Sequence, residues 1–405
     1  MKSYIFFISV VLSALFVSCS SESIEDGTTP PTIPLTRSEI EIVSAENTFA
    51  LNMLTELLKE SNSDENICIS PLCAFFNFSM LTTGANPETQ KVALERLTNG
   101  NSSLEDLNQL NQKLLSTLVS IDRQTTVMNN SSAWFDNSVS VGQEFTDNIA
   151  SVFNAQTAFV DMGSSEAESA INNWVNSSSN GLIKKFVEYK ETEGRLMSLI
   201  CTSYFKGNWT KKFNKEDTKL GDFLNSNGKK SRVMMMRKNE DVKYISVNDL
   251  HIVSIPFGNG SFSMFVLLPD DVSTGSAIEP LGKTSWNEIV KGMTTRTFNI
   301  QLPRFGITWA NDMTDIASSL GYGDLFNGDN LSPISPDLKY ASISMKQQTV
   351  FQVDEEGATV ASASAVNGDI MSVSGMNFIV DRPFAFIIQE NSSGTILFAG
   401  KVNKL

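Results

Sequence analysis

One run of small residues near the carboxyl end of the chain carries most of the information about its fold. It is Asp354-Glu355-Glu356-Gly357-Ala358-Thr359-Val360-Ala361-Ser362-Ala363-Ser364-Ala365-Val366. After Gly357 the run has no charge and no proline, so its backbone N–H groups are all available to a sheet and its side chains could enter a crowded one. Composition alone favours a flexible alanine–serine linker. The run itself fits either a strand or a linker, so the flanking segments are needed to choose between these two predictions.

The segments around this run predict strands, and those far upstream predict helices. An extended segment from Lys339 to Asp354 precedes it, and strands from Ile379 to Glu390 and from Thr395 to Lys401 follow it. The unbroken apolar stretch from Leu196 to Lys206 indicates a strand buried on both faces. The upstream helices are predicted at Glu46–Lys59, Pro71–Thr83, Glu88–Leu97, Leu104–Leu118, Gln143–Phe153 and Glu166–Asn176, and later ones at Trp286–Lys291 and Asp312–Leu320. A further strand is predicted at Phe298–Ile307, so the fold class is α+β.

The overall composition is that of a large globular protein. The chain has 405 residues, of which 41% are hydrophobic and 19% charged, and its formal net charge is −14. Such an acidic balance, without a basic cluster, opposes nucleic-acid binding. We therefore expect no nucleic-acid partner.

The first residues have the pattern of a bacterial lipoprotein signal. An apolar run from Tyr4 to Val17 is too short to span a bilayer, and Leu15-Phe16-Val17-Ser18-Cys19 resembles a lipobox. This predicts a signal peptide at 1–18, lipidation of Cys19 and a flexible tether at 19–40. The protein would be exported and held by its lipid in a bacterial membrane, in the outer membrane at the cell surface or facing the periplasm. Ordinary secretion with an incidental cysteine is the alternative.

The candidate catalytic residues are few. His251 is the only histidine, in an alternating strand context, so a serine or cysteine nucleophile has no evident base. The cysteines Cys68, Cys73 and Cys201 show no metal-binding spacing and fit a buried apolar role. We expect no catalytic residue, no metal and no cofactor.

Several motifs in register show that the chain resembles the serpin family from about Glu46 to Leu405. They are Asn66-Ile67-Cys68-Ile69-Ser70-Pro71, Leu81-Thr82-Thr83-Gly84-Ala85, Ile171-Asn172-Asn173-Trp174-Val175, Asn180-Gly181-Leu182-Ile183, Tyr204-Phe205-Lys206-Gly207-Asn208-Trp209, Val233-Met234-Met235-Met236, Leu302-Pro303-Arg304-Phe305, Asp381-Arg382-Pro383-Phe384 and Leu397-Phe398-Ala399-Gly400-Lys401-Val402. The resemblance implies a single domain at 41–405, with three β-sheets, about nine helices and an exposed reactive loop at about 357–377.

The resemblance also implies a function. Such a protein is a serine protease inhibitor, not an enzyme, and acts as a monomer that traps its target as a covalent acyl-enzyme complex. A protease cleaves the loop, and the freed N-terminal part inserts into the main sheet as a new strand. A non-inhibitory member that serves as a binding or carrier protein, or only as a protease substrate, is the alternative.

The family pattern assigns site residues by position. The hinge is Glu355, Glu356, Gly357, Ala358, Thr359, Val360, Ala361, Ser362 and Ala363, with Arg304 as the salt-bridge partner of Glu355. The usual spacing places the reactive bond at Met371-Ser372, with Ile370 and Met376 as alternatives. These apolar residues suit an elastase-, chymotrypsin- or subtilisin-like protease. Ala358 is expected to be exposed before cleavage and buried after it.

Three departures from the family pattern affect the expected efficiency of insertion. Asn367-Gly368 is a turn-like pair inside the segment that must insert, and glycine in a strand costs about 0.5–1 kcal/mol. Val360 stands where inhibitory relatives prefer alanine, which predicts slower insertion. Behind the main sheet, Cys73, Cys201 and Gln347 replace a cluster of serine, asparagine and histidine, so the way in which the sheet opens is expected to differ.

Overall fold

Most of the helices lie in the first half of the chain in the computed structural model, which describes residues 29–60, 64–100, 102–271, 281, 285–341, 343–358 and 375–405. The described residues contain nine α-helices: α1 (Arg37–Glu60), α2 (Pro71–Thr83), α3 (Pro87–Leu97), α4 (Leu104–Thr117), α5 (Gln143–Phe153), α6 (Ser165–Ser178), α7 (Tyr189–Thr192), α8 (Trp286–Lys291) and α9 (Thr314–Ser319).

Helix α2 forms the centre of the molecule, and its sequence explains where it begins. The Ser70 side chain accepts a hydrogen bond from the backbone N–H of Cys73, and Pro71 occupies the first helical position, where no N–H is needed. Every residue from Pro71 to Thr82 is buried. The helix therefore fixes Ser70 and Cys73 beneath the sheet that covers it.

Fifteen strands in the described part of the chain alternate with or follow these helices. They are β1 (Ile67–Ile69), β2 (Thr125–Asp136), β3 (Gln156–Val160), β4 (Met197–Asn208), β5 (Lys219–Leu224), β6 (Lys230–Val247), β7 (Leu250–Phe257), β8 (Phe262–Pro269), β9 (Thr294–Pro303), β10 (Phe305–Asp312), β11 (Ser344–Val353), β12 (Gly357–Ala358), β13 (Met376–Ile379), β14 (Phe384–Glu390) and β15 (Ile396–Val402).

The strands build three sheets, two of which share one strand. A six-stranded sheet has the order β10-β11-β12-β4-β2-β3, and the others form the continuous order β1-β15-β14-β8-β7-β6-β9-β13 with β5 beside β6. Strand β6 is 18 residues long and pairs with β7 near its end and with β9 earlier, so it passes from one sheet into the next. Within the described residues, the three sheets and nine helices confirm the predicted α+β fold.

Strand β4 has two faces with different surroundings. Leu199 and Phe205 point into the main core. Ile200, on the opposite face, packs with Trp134 and with Val175 of α6. We call the face towards α6 the outer face of the six-stranded sheet and the face towards the main core its inner face.

The folded unit begins earlier than the sequence indicated. Helix α1 starts at Arg37, inside the segment predicted to be a tether, and the compact unit begins at Pro31. Ile33 is buried, and Glu39 forms a 2.5 Å ion pair with Lys113 of α4. These contacts hold the start of α1 against the domain, so the boundary at residue 41 was placed too late.

Two predicted strands are each divided in the structure. The segment predicted as one strand at Phe298–Ile307 contains the end of β9 and the start of β10, which belong to different sheets and meet at Arg304. The predicted strand at Ile379–Glu390 contains the end of β13 and all of β14, separated by the residues around Pro383. Both segments are apolar on either side of the break, so their pattern resembles that of one strand.

Two other features bear on function. None of the helices in the described ranges combines the length and apolar character that crossing a membrane requires. Nor do three or more His, Cys, Asp or Glu side chains come together as a metal site within that part of the chain.

Candidate functional site

The six-stranded sheet contains a slot between β4 and β11. The two strands pair in parallel from Ser198 with Ser344 as far as Ser203 with Thr349. Beyond that point, β12 lies between them and pairs with both, Ala358 being opposite Gly207 on β4 and Val353 on β11. Residues 204–206 and 350–352, between these two regions, have no described ladder partner across the slot. These residues are the next ones along β4 and β11 after the pairing partners of Ala358.

The buried position of Ala358 corrects one expectation. The side chain was expected to be exposed before cleavage, but it is fully buried and belongs to the main core. Its neighbour Gly357 has a φ of 154°, and a Cβ there would overlap the carbonyl oxygen of Gly207. Glycine is therefore required where the chain turns into the slot, and its absence of a side chain lets β12 approach β4 closely.

The turn that leads into β12 is held by Trp209, which immediately follows β4. The backbone N–H of Trp209 donates to the carbonyl of Glu356 at 2.8 Å, and its indole Nε1–H donates to the carbonyl of Asp354 at 2.8 Å. The N–H of Phe213 donates to the carbonyl of Glu355 at 3.1 Å. Three consecutive carbonyl groups of the turn are thus fixed from one side.

The Glu355 carboxylate lies against Arg304. Nη2 and Nε of Arg304 are 2.6 and 2.8 Å from Glu355 Oε1, and the Thr218 hydroxyl donates to the same oxygen at 2.5 Å. Burial would raise the pKa of Glu355, but these hydrogen bonds outweigh it and hold the pKa below its ordinary value. Arg304 reaches this place because β9 ends and β10 begins on either side of it.

The neighbouring carboxylate of Glu356 is half-buried and has its own cations. Glu356 Oε2 is 2.6 Å from Lys212 Nζ, and Oε1 is 3.1 Å from Lys215 Nζ. The hydrogen bond from Lys212 is the main cause that lowers the pKa of Glu356. The two hinge glutamates therefore fasten the start of β12 on opposite sides.

A buried ion pair at this end of the slot was also not predicted from the sequence. Lys238 and Glu240 of β6 form a 2.6 Å pair, and their side chains are only 7% and 5% exposed. The Lys238 amino group also lies 4.5 Å from the ring centroid of Phe213 and 5.5 Å from that of Trp209. Burial lowers the pKa of Lys238. No sequence signal separates these two charges from the others on β6.

The residues of the altered cluster do come together, at the middle of the slot on its inner face. The Gln347 side chain donates from Nε2 to the carbonyl of Ser70 at 2.8 Å and accepts from the Ser70 N–H at 3.1 Å. The same Nε2 is 3.4 Å from Cys201 Sγ, and Cys73 Sγ is 3.8 Å from the carbonyl of Thr202. Burial raises the pKa of Cys73. Gln347 therefore links β11 to the start of α2 and to β4.

Of the remaining predicted site residues, the structure describes only Met376. Thr359 to Ala363, Ile370, Met371, Ser372 and Cys19 lie outside the described residues. Met376 begins β13, where it pairs in parallel with Phe298, and is 47% exposed. The backbone of Met376 is therefore engaged in a sheet in this structure.

The single histidine belongs to a polar chain at a strand end. His251 Nδ1 is 2.8 Å from the Tyr244 hydroxyl, and Nε2 is 3.0 Å from Asp270 Oδ1. These partners contain neither a serine nor a cysteine. The contacts suit a structural role on the sheet surface.

Comparison with known proteins agrees with this geometry. Residues 44–405 match the model of the family described as Serpin (serine protease inhibitor). Human neuroserpin is 29% identical over 375 residues, which cover 87% of this chain and 89% of neuroserpin. The crystal structure of the thermophilic serpin tengpin in its native state is similar, with 25% identity, a TM-score of 0.82 and coverage of 93% and 97% of the two chains.

A third similarity concerns the fold alone. Human thyroxine-binding globulin, whose structure holds thyroxine, is 19% identical with a TM-score of 0.81, over 91% of this chain and 99% of that one. The matched family model spans the helices, all three sheets and the slot between β4 and β11. The chain belongs to the serpin family.

Proposed function

We propose that this serpin inhibits a serine protease by trapping it as an acyl-enzyme, with insertion of the cleaved loop between β4 and β11. The observation that carries the proposal is the position of β12, which already lies in the slot and pairs antiparallel with both neighbours. A strand that continued from Ala358 in the same register would pass residues 204–206 and 350–352 before it met a β4–β11 pair.

The chemical step belongs to the protease. Its serine attacks the carbonyl carbon of Met371, the bond to the nitrogen of Ser372 breaks, and Ser372 leaves as a new amino terminus. The segment from Gly357 to Met371 then remains esterified to the protease. Fourteen residues in a strand span about 46 Å, so complete insertion would move the protease from one end of the sheet to the other.

The energy for this movement would come from the sheet itself. Six β4–β11 pairs would be exchanged for ladders on both sides of the new strand. Each net backbone hydrogen bond stabilises by about 0.5–1.5 kcal/mol, so roughly ten added bonds supply on the order of 10 kcal/mol. This gain in hydrogen bonds would drive the insertion that displaces the protease.

The register also bears on Val360, which the sequence marked as unfavourable. Position 360 would lie on the inner face, opposite Phe205 of β4 and Phe351 of β11. Both phenylalanines are buried in the main core. Valine can pack against them, so the slower insertion expected at this position would reflect steric fit and not the burial of a polar group.

The target class follows from the loop sequence. Met371 and its neighbour Ile370 are apolar, and there is no Lys or Arg between Gly357 and Asp381. Proteases with apolar primary pockets, such as elastase-, chymotrypsin- or subtilisin-like enzymes, are the proposed targets. Met376, one of the two alternative positions for the reactive bond, pairs with β9 in β13, which supports Met371-Ser372 over Met376.

A binding or carrier function is the second candidate. The similarity to thyroxine-binding globulin motivates it, although that similarity concerns the fold. A hinge with proline or charge would favour this function, and residues 358–366 contain neither.

The location of the protein is a separate proposal. We infer a bacterial lipoprotein that is exported, anchored through Cys19 and active as a monomer at the cell surface. The support is the apolar run that ends at Ser18-Cys19 and the polar segment that follows it.

One experiment separates these functions. The protein is mixed with an elastase-like protease, run on a denaturing gel and analysed by mass spectrometry. A covalent complex with release of a fragment that begins at Ser372 is expected. A cleaved loop without complex indicates a substrate, and no reaction with any of the three protease classes favours the binding function. A cut before Ala365 would refute the register, since too little strand would remain.

A further inference from the structure

The closed part of the slot ends in a pair of serines that face each other across it. Ser198 is opposite Ser344 in the parallel ladder, and their hydroxyl groups are 2.9 Å apart. Their residues are only 7% and 3% exposed. Ser198 alternates with Leu199 and shares the outer face with Ile200. This side-chain hydrogen bond joins the two strands that a new strand would have to separate.

The ladders of β12 lead to the same pair from two directions. Ala358 is opposite Gly207 on β4 and opposite Val353 on β11. Because both pairings are antiparallel, each step forward from Ala358 is one step back along each neighbour. Nine steps reach Ser198 on one strand and Ser344 on the other, and position 367 on the entering strand.

Position 367, which lies outside the described residues, is an asparagine. In this register its side chain would lie on the same face of the sheet as the two serine hydroxyls. An odd number of steps moves from the inner face, where Ala358 lies, to the outer face, where the serine hydroxyls lie. Asparagine is unfavourable in strands and is the first amide side chain after Gly357. Its side chain offers two donors and an acceptor, which match a hydroxyl on either side.

We propose that Ser198 and Ser344 are positioning residues. They keep β4 and β11 paired at the closed end of the slot, and they bind the carboxamide of Asn367 when the strand enters. The inference rests on the proposed function, whose insertion step it refines. One hydroxyl–hydroxyl bond is exchanged for two bonds to the amide. A strand displaced by two residues would bring Ala365 or Asp369 to this place, so the serines also select the register.

The test uses a synthetic peptide of residues 358–370 and needs no protease. The peptide and its Asn367→Ala form are added to intact protein, and uptake is followed by native gel and by the rise in unfolding temperature. The wild type should bind the asparagine peptide roughly tenfold more tightly, the effect of one or two hydrogen bonds. The Ser198→Ala/Ser344→Ala protein should bind the two peptides equally, and it should take up either of them several-fold faster.

Asn129→Ala provides the matched control. It removes the 2.7 Å hydrogen bond that Ser203 donates to Asn129, which joins β4 to β2, two strands that stay paired. This variant should keep both the preference for asparagine and the slow uptake. A purely structural role of the serines would lower stability and leave the tenfold preference intact.

The outcomes separate this inference from inhibition. A preference that survives in the double variant, or is absent from the wild type, overturns the inference, as does a peptide that never enters the wild type. A protein that forms covalent complex but shows no preference keeps the proposed function and refutes the role of the serines. Uptake with the preference but without complex upholds the serines and refutes inhibition.

Discussion

Two arginine substitutions at neighbouring hinge positions test the register of the slot. Ala358 points to the inner face and is fully buried. In the same register Thr359 would point to the outer face, between Lys206 and Gln352, which are half-buried and exposed. We expect Ala358→Arg to block insertion and Thr359→Arg to permit it, because only the second charge can reach solvent.

The structure sets the size of the effect in each state. Before cleavage, an arginine at 358 can avoid burial if β12 leaves the slot. That strand has only two residues, so its release costs about 2–3 kcal/mol at about 1 kcal/mol for each backbone hydrogen bond. After insertion the residue is held on both sides, and a buried charge without a partner costs several kcal/mol. A penalty of about 3 kcal/mol in the insertion step slows it roughly 100-fold.

The assay measures covalent complex and thermal stability with the same protease. The Ala358→Arg protein should be cut at the wild-type bond, form little complex and lose most of the stability gained on cleavage. Thr359→Arg should resemble the wild type in all three measurements. If both variants trap protease equally, or if both fail, the faces are assigned wrongly and the register derived from Ala358 is refuted.

Three further predictions concern the ends of the slot and the anchor. Glu355→Gln should lower the unfolding free energy at neutral pH, and the difference from wild type should disappear as the pH falls below about 4.3, because a carboxyl group with a lowered pKa stabilises only while it is ionised; a pH-independent difference in denaturant titrations contradicts the ion pair with Arg304. Lys238→Met should cost about 3–5 kcal/mol in urea unfolding, since it leaves Glu240 buried without its cation, and Lys238→Met/Glu240→Gln should recover part of the loss. Cys19→Ala should move the protein from the detergent phase to the aqueous phase, and unchanged partitioning would exclude lipidation.

The sequence predicted the fold because its local signals and its motifs agree. The helix that starts at Pro71 and the buried strand that starts near Leu196 both occur where the pattern placed them. These features depend on residues that are close in sequence. A prediction from one chain can therefore locate them without knowledge of the tertiary contacts.

The features that the sequence did not predict depend on distant contacts. The break at Arg304 separates strands of two sheets, and nothing local distinguishes it from a continuous strand. The buried Lys238–Glu240 pair requires Trp209 to cover it. The early start of α1 depends on Lys113, more than seventy residues away. In each case the deciding partner comes from another part of the chain.

The burial of Ala358 also depends on distant contacts, because its neighbours lie on β4 and β11. A family pattern indicates that the loop is exposed, but the length of β11 and the end of β4 decide how much of it already lies in the sheet. Gly357 can approach Gly207 only because it has no side chain, since a Cβ at position 357 would overlap the carbonyl oxygen of Gly207. Gly357 and Ala358 therefore already lie in the six-stranded sheet.

The polarity of the slot distinguishes a strand from an alanine–serine linker. The inner-face neighbours change from apolar to polar along its length. They are Gly207 and Val353, then Phe205 and Phe351, then Ser203 and Thr349, then Cys201 and Gln347. In the register of β12, the loop side chains opposite these four pairs are Ala358, Val360, Ser362 and Ser364.

The sequence thus places apolar residues opposite apolar neighbours and hydroxyls opposite polar ones, and any shift loses this match. Displacement by two residues in one direction would bring Val360 between Ser203 and Thr349, leaving two hydroxyls facing an isopropyl group. Displacement in the other direction would place Ser362 between two phenylalanines. A linker selected only for flexibility has no reason to alternate in this way. The order of polarity in the sequence therefore matches the order of polarity along the slot, which supports the proposed insertion of this segment.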